Sequence, residues 1–284
     1  MSAASTAERV SLLTSCGEWD LALGVIPTAS IKSAPLYLLE AQAFHARAFV
    51  GNDRDGDTHR ACEGAQHAIN QLRQLNMASA DEALLAQALL LKANTLANLA
   101  ASEVLEFKQS LNEATSAVRE AERVLCAFNL PDVANAYRIM GVIRQTRHQL
   151  RQEDTASLRK AQLYFLAAIR EYEKHGVEAS SEWYAVSHWN MYIILRRLDK
   201  AKKAVSFLKR AADLRAYSQG SKHPYTRRYQ RLLQEEKGRL RRLQVCMGDA
   251  EMQQEVDSSL DEHDTYDTFS SGVQSLFRKE AAIR

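Results

Sequence analysis

Apolar positions recur at three- and four-residue intervals almost from end to end, with polar residues filling the gaps. That period belongs to the α-helix, and no run alternates β-branched with polar residues as a strand would. The spacing predicts helices over 6–15, 19–30, 35–50, 58–76, 80–99, 103–128, 132–150, 156–175, 181–197, 200–218 and 224–246. Start and stop residues agree. Ser79 with Glu82 makes a capping box, and Pro131 opens a helix. Gly176 and Gly220 fall where helices should end, and His223-Pro224 starts the last long one.

A chain of similar helices joined by short connections should be searched for repeats. Ala161-x3-Phe165-x2-Ala168 recurs as Ala204-x3-Leu208-x2-Ala211. Such a small–large–small stripe lets two helices of a hairpin close around one bulky side chain. Upstream, Tyr137-x2-Met140-Gly141 has the large–large–small pattern of a matching first helix, and Gly17-Glu18-Trp19-x2-Ala22 has a tight turn, an aromatic and a small residue. On these residues the chain resembles the tetratricopeptide repeats over roughly 1–245.

The stretch Leu208-Lys209-Arg210-Ala211-Ala212-Asp213-Leu214-Arg215, followed by Gly220-Ser221-Lys222-His223-Pro224, is similar to the long repeat of kinesin light chains. That repeat runs to about 42 residues where the standard one has ~34. Asn190 stands where that family carries a groove Asn; Tyr192 and Leu232 depart from its pattern. The resemblance implies an all-α, right-handed solenoid of helical hairpins closed by a C-terminal capping helix. It also implies recognition of acidic, aromatic-containing segments and a place in cytoskeletal transport.

Composition narrows the class. The chain has 284 residues, of which only 11 are Gly and 4 Pro, too few for the frequent turns of a sandwich or barrel. Cys16, Cys62, Cys126 and Cys246 lie far apart without a CxxC pair. That speaks against a disulfide framework and a zinc site, and for a reducing compartment. No stretch approaches the ~18 apolar residues of a membrane span, and the N-terminus reads as neither secretory signal nor transit peptide. The expected location is cytoplasmic.

Charge changes the picture more. The formal net charge is +2, but residues 1–136 carry 10 Lys+Arg against 16 Asp+Glu, and residues 137–243 carry 24 against 10. Residues 244–284 carry 3 against 9. One helical domain over 1–246 therefore has an acidic half (1–136) and a basic half (137–243). Residues 247–284 read as an acidic, largely disordered tail with a short amphipathic helix near 272–283. A segment of net +14 repels itself, so something acidic should neutralise part of it.

The basic half holds the candidate site. Arg138, Arg144, Arg147 and Arg151 lie on one first helix, Arg196 and Arg197 close the next, and Arg227, Arg228 and Arg231 lie on the last. Guanidinium forks take carboxylate or phosphate in two-point fashion. Lys200, Lys202 and Lys203 read as a solvated face. Trp183, Tyr184, Trp189 and Tyr192 share a helix whose stripe (183, 184, 188, 191, 192, 195) describes core packing. Trp189 lies off that stripe beside Asn190, where it would face a concave surface. The candidate peptide-binding set is Arg138, Arg144, Gln145, Trp189, Asn190, Arg196, Arg197, Arg227, Arg228 and Arg231.

Other constellations are weaker. Residues 51–58 place Asp53, Asp55 and Asp57 like an EF-hand start, but Thr58 and Gly64 stand where Gly and Glu are needed. A loop with Asp57 or Thr58 capping the next helix is the better reading. His59, Cys62 and His67 cannot hold a metal alone. No phosphate loop, GxSxG, HExxH or paired carboxylates occur, so no catalytic, cofactor or metal residue is assigned. The expected function is a non-enzymatic adaptor or scaffold binding an acidic, aromatic-containing protein segment in a basic groove. The alternative is an RNA-binding or ribonucleoprotein subunit, and a third class is a structural subunit of a large assembly. The tail segment 261–269 (DEHDTYDTF) is an internal candidate for the same groove.

Overall fold

A computed structural model of the chain describes residues 3–26, 33–49, 56–74, 79–102, 107–128, 130, 132–151, 155–176 and 182–247. All described elements are α-helices: α1 (Ala3–Ser15), α2 (Trp19–Val25), α3 (Ala34–Phe49), α4 (Asp57–Gln74), α5 (Ser79–Ser102), α6 (Phe107–Ala127), α7 (Val133–Arg151), α8 (Thr155–Lys174), α9 (Glu182–Arg197), α10 (Ala201–Gln219) and α11 (Pro224–Met247). Most lie within a few residues of the spacing prediction. α2 stops early because Ile26 precedes Pro27: steric clash with the proline ring pushes Ile26 to extended backbone (φ −69°, ψ 121°). The tail from 248, the short helix near 272–283, Asp53 and Asp55, Pro131, and the Ser79 side chain lie outside what is described.

Helices pack against their chain neighbours, most closely as the hairpins α3–α4, α5–α6, α7–α8 and α9–α10. The residues that permit this are small and evenly placed. Ala61, Ala65 and Ala68 on α4 are fully buried, as are Ala114, Val118 and Ala121 on α6. So are Ala161, Phe165 and Ala168 on α8, and Ala204, Leu208 and Ala211 on α10. The two stripes read from the sequence are therefore four. Only α8 has an aromatic at the centre, and α7 answers it with Gly141.

α5 amends one expectation. Residues Asp81–Ala101 are long and apolar enough to cross a membrane by length and composition, with 72% of the window buried inside the fold. α5 is the centre of the larger apolar cluster, touching α3, α4, α6 and α7. A second cluster, from α7 to α11, is rich in aromatics.

The two ends of the described chain meet. Tyr225 on α11 donates its hydroxyl to the Ala46 carbonyl on α3 at 2.8 Å, across 179 residues. Trp19 sits 5.6 Å from the Tyr225 ring and 6.2 Å from His223. The turn before α2 requires Gly17: its φ is +81°, and a Cβ there would stand 2.8 Å from Cδ of Pro224. His223 caps α11 by accepting the Tyr225 N–H on Nδ1 at 3.2 Å. Gly220, with φ +80°, ends α10 and bonds its N–H to the Ala216 carbonyl.

Candidate functional site

The arginines predicted to line a groove divide into three groups. Arg138 is enclosed, only 2% exposed, and is not on an open wall. Its Nε donates to Asn135 Oδ1 at 2.8 Å, and its guanidinium lies 4.6 Å from the Trp183 ring. Among the described residues it has no carboxylate partner. Burial draws its pKa down to about 10, so it stays charged at neutral pH.

A second group joins neighbouring helices. Arg196 on α9 donates Nε to Glu236 Oε1 on α11 at 3.2 Å, and the Tyr192 hydroxyl donates to the same oxygen at 3.0 Å. Arg228 lies over the Trp189 ring at 5.8 Å, and Trp189 stacks on Tyr229 with centroids 4.5 Å apart and planes 3° from parallel. Arg147 reaches from α7 to Asn112 Oδ1 and Thr115 Oγ1 on α6. With its amide oxygen turned toward α9, Gln149 accepts from Arg197 Nη1 at 3.0 Å. Arg147, Arg196 and Arg228 thus join helices as well as carrying charge, while the Arg197–Gln149 contact lies between two exposed side chains.

The third group, which shares Arg197 and Arg228 with the second, is more open: Arg197, Arg227 and Arg231 are exposed, and Arg144, Gln145 and Arg228 are half-buried. Arg231 stands 3.9 Å from Glu235, a distance at which an exposed pair contributes little. Arg197 and Arg227 have no acidic partner among the described residues. Nothing is described for the Arg151 side chain.

Trp189 corrects the sequence expectation most. It is 8% exposed and covered by α11, where Tyr229 occupies the face expected to meet a ligand. Every residue from Tyr184 to Tyr192 is buried, because α9 packs against α8 and α10 and its remaining faces meet Arg138 of α7 and Tyr229 of α11. Asn190 is enclosed as well, and its Nδ2 has no partner among the described residues; the same holds for Gln145 Oε1.

The structure also assembles groups that sequence reasoning missed. Arg215 on α10 is 2% exposed, with Nη1 on Gln219 Oε1 (2.8 Å) and Glu182 Oε2 (3.3 Å). Its guanidinium lies over Tyr225 (4.8 Å) and Tyr229 (5.9 Å). His45 on α3 meets Asn94 Nδ2 at 2.7 Å. The signal was present: Leu208, Ala211, Ala212 and Arg215 form one stripe, and an Arg on an apolar stripe marks a buried charge.

The remaining candidates resolve plainly. Asp57 at the start of α4 is fully buried and takes Arg47 in two-point fashion, at 2.7 and 2.6 Å. His59 and His67 are exposed, and His67 stacks on Tyr37 at 5.2 Å. No group of three His, Cys, Asp or Glu side chains converges among the described residues. No protein-family model matches the chain, and no curated protein is detectably similar to it.

Proposed function

We propose that the chain is a non-enzymatic adaptor of tetratricopeptide-like construction, with α11 as its cap, that binds an acidic, aromatic-containing protein segment along the flank of α9 and α11. The observation that carries this reading is the pair Arg197 and Arg227, exposed cations with no acidic partner among the described residues, in a segment of 24 Lys+Arg against 10 Asp+Glu. Trp189 opposite Tyr229 and Arg196 opposite Glu236 set the two helices parallel with an offset of 40 residues. On that register Arg227 stands level with Ser187, ten positions from Arg197, or about 15 Å along the axis. An extended segment of about five residues spans that distance. Its carboxylates would meet Arg197, Arg227 and Arg231, with half-buried Arg144 and Arg228 beside them. The cytoplasmic location and a role in cytoskeletal transport belong to the same proposal, through the resemblance to kinesin light chains.

A labelled peptide of sequence DEHDTYDTF tests this by fluorescence anisotropy on the full chain. Binding that Arg197→Ala with Arg227→Ala weakens at least tenfold supports the reading. Binding of mixed-sequence RNA in preference to the peptide would transfer the same surface to the nucleic-acid alternative.

A further inference from the structure

Enclosed polar side chains on α3, α7, α10 and α11 carry donors in excess of acceptors. Asn94 presents Nδ2 to His45 Nε2, and an amide nitrogen only donates. His45 Nε2 therefore accepts, and the ring proton sits on Nδ1, which is enclosed and has no partner among the described residues. Arg215 Nε is enclosed and unpartnered in the same way. The fully buried Tyr229 hydroxyl lies beside Arg215 and still has its own proton to donate. Arg138 adds a guanidinium whose one hydrogen bond among the described residues goes to Asn135.

Contacts chain these groups together: Arg215 pairs with Glu182, and the next residue, Trp183, carries Arg138 on its ring. Tyr225 ties α11 to Ala46, the residue after His45, and its ring carries Arg215. Arg138 is within electrostatic reach of His45, Arg215, Tyr229 and Glu182. Glu182 is the one carboxylate in that group; it is 43% exposed and already takes Arg215 and Gln219. Two buried cations thus share one peripheral carboxylate. Water can satisfy a donor but cannot offset a charge, and an uncompensated buried charge is strongly unfavourable.

We propose that His45, Arg138, Arg215 and Tyr229 form a binding site for a small oxyanion, a phosphate or carboxylate group. The site is separate from exposed Arg197, Arg227 and Arg231, so the adaptor reading can fail without it. The anion would accept from the Arg138 fork and from Arg215 Nε, with the His45 Nδ1–H and the Tyr229 hydroxyl completing its shell. The Trp183, Tyr225 and Tyr229 rings hold the two guanidinium planes in place.

The test is thermal unfolding of the full chain in inorganic phosphate, in acetate, and in sodium chloride at matched ionic strength. Phosphate or acetate at about a hundredfold its dissociation constant should raise Tm by roughly 5–10 °C over chloride. A shift with phosphate alone names a phosphate ligand, and a shift with acetate names a carboxylate. Arg138→Met should abolish the shift and, in chloride, melt no lower than the wild type. Tyr229→Phe keeps the stack on Trp189 and should weaken the anion roughly tenfold by losing one hydrogen bond to a charged group. Equal melting of the wild type in all three salts, as expected if the donors hold water only, would overturn the proposal. So would an undiminished shift in Arg138→Met. If that variant does not fold, unchanged anion affinity in Tyr229→Phe does the same.

Discussion

A Cβ on Gly141 would stand 2.6 Å from Cε1 of Phe165, so the α7–α8 hairpin closes only because residue 141 has no side chain. Phe165 is fully buried in return. Phe165→Ala should cost roughly 3–5 kcal/mol, and Gly141→Ala about 1–3 kcal/mol despite the better helix propensity of alanine. The two should not add: with the ring gone, a methyl group at position 141 has room. Urea denaturation of the two single variants and the double variant checks this, and strict additivity would contradict the packing described.

Arg196 is a second case where packing decides. Glu236 is 8% exposed and depends on Arg196 and Tyr192, and its Oε2 has no partner among the described residues. Arg196→Ala would leave a carboxylate buried with one donor, at a cost of about 2 kcal/mol or more. Adding Glu236→Gln should recover part of that loss. A melting temperature unchanged by Arg196→Ala would contradict this structural role and leave Arg196 to the groove that the sequence suggests.

The helices were legible in the sequence because three- and four-residue spacing and scarce Gly and Pro all favour one structure. Two of the four small-residue stripes were not. Their central residues are Ala65 and Val118, so the small–large–small signature disappears although the burial is the same. The site was less legible still. Nine arginines on three helices were visible, but which face each occupies depends on helix rotation, which composition does not carry. The sequence places Trp189 toward a ligand, and its ring instead stacks on Tyr229, forty residues later. The grouping of His45, Arg138, Arg215 and Tyr229 joins four helices across the length of the fold, so no local window could contain it.

Three buried histidines predict an acid-sensitive fold. Burial, reinforced by Arg138, Arg210 and Arg215 respectively, lowers His45, His188 and His223 each to about 4. The folded state thus disfavours their protonation, while the unfolded chain protonates near 6.5. Stability is therefore full above about pH 6.5 and falls as pH drops toward 4, by on the order of 3 kcal/mol per histidine at the limit. His188 sits between Tyr184 and Phe207, and neither ring nitrogen has a partner among the described residues. His188→Phe should leave stability at pH 7.5 nearly unchanged and flatten the loss between pH 6.5 and 4. An identical pH profile in the variant would count against this account.

The acidic tail offers a prediction about occupancy. Asp261 lies fourteen positions beyond Met247, the end of α11, a stretch that as a flexible chain would reach roughly 20 Å. A tethered segment at that range acts at an effective concentration near the millimolar scale, so a dissociation constant of ~0.1 mM keeps it bound about nine-tenths of the time. Removing residues 249–284 should raise affinity for an acidic peptide by up to about tenfold at low salt, with a smaller gain at high salt. Equal affinities of the full and truncated chains at low salt would show that the tail does not compete.

The most direct test of the central claim, an acidic segment on the open arginines of the basic half, is titration of the labelled DEHDTYDTF peptide into the full chain. It compares the wild type with Arg197→Ala/Arg227→Ala/Arg231→Ala. All three side chains are exposed, so the triple variant should melt within a few degrees of the wild type. The account predicts saturable, salt-sensitive binding to the wild type and a loss of tenfold or more in the triple variant. Equal affinity of a folded triple variant, or no binding by the wild type at low salt, would contradict it.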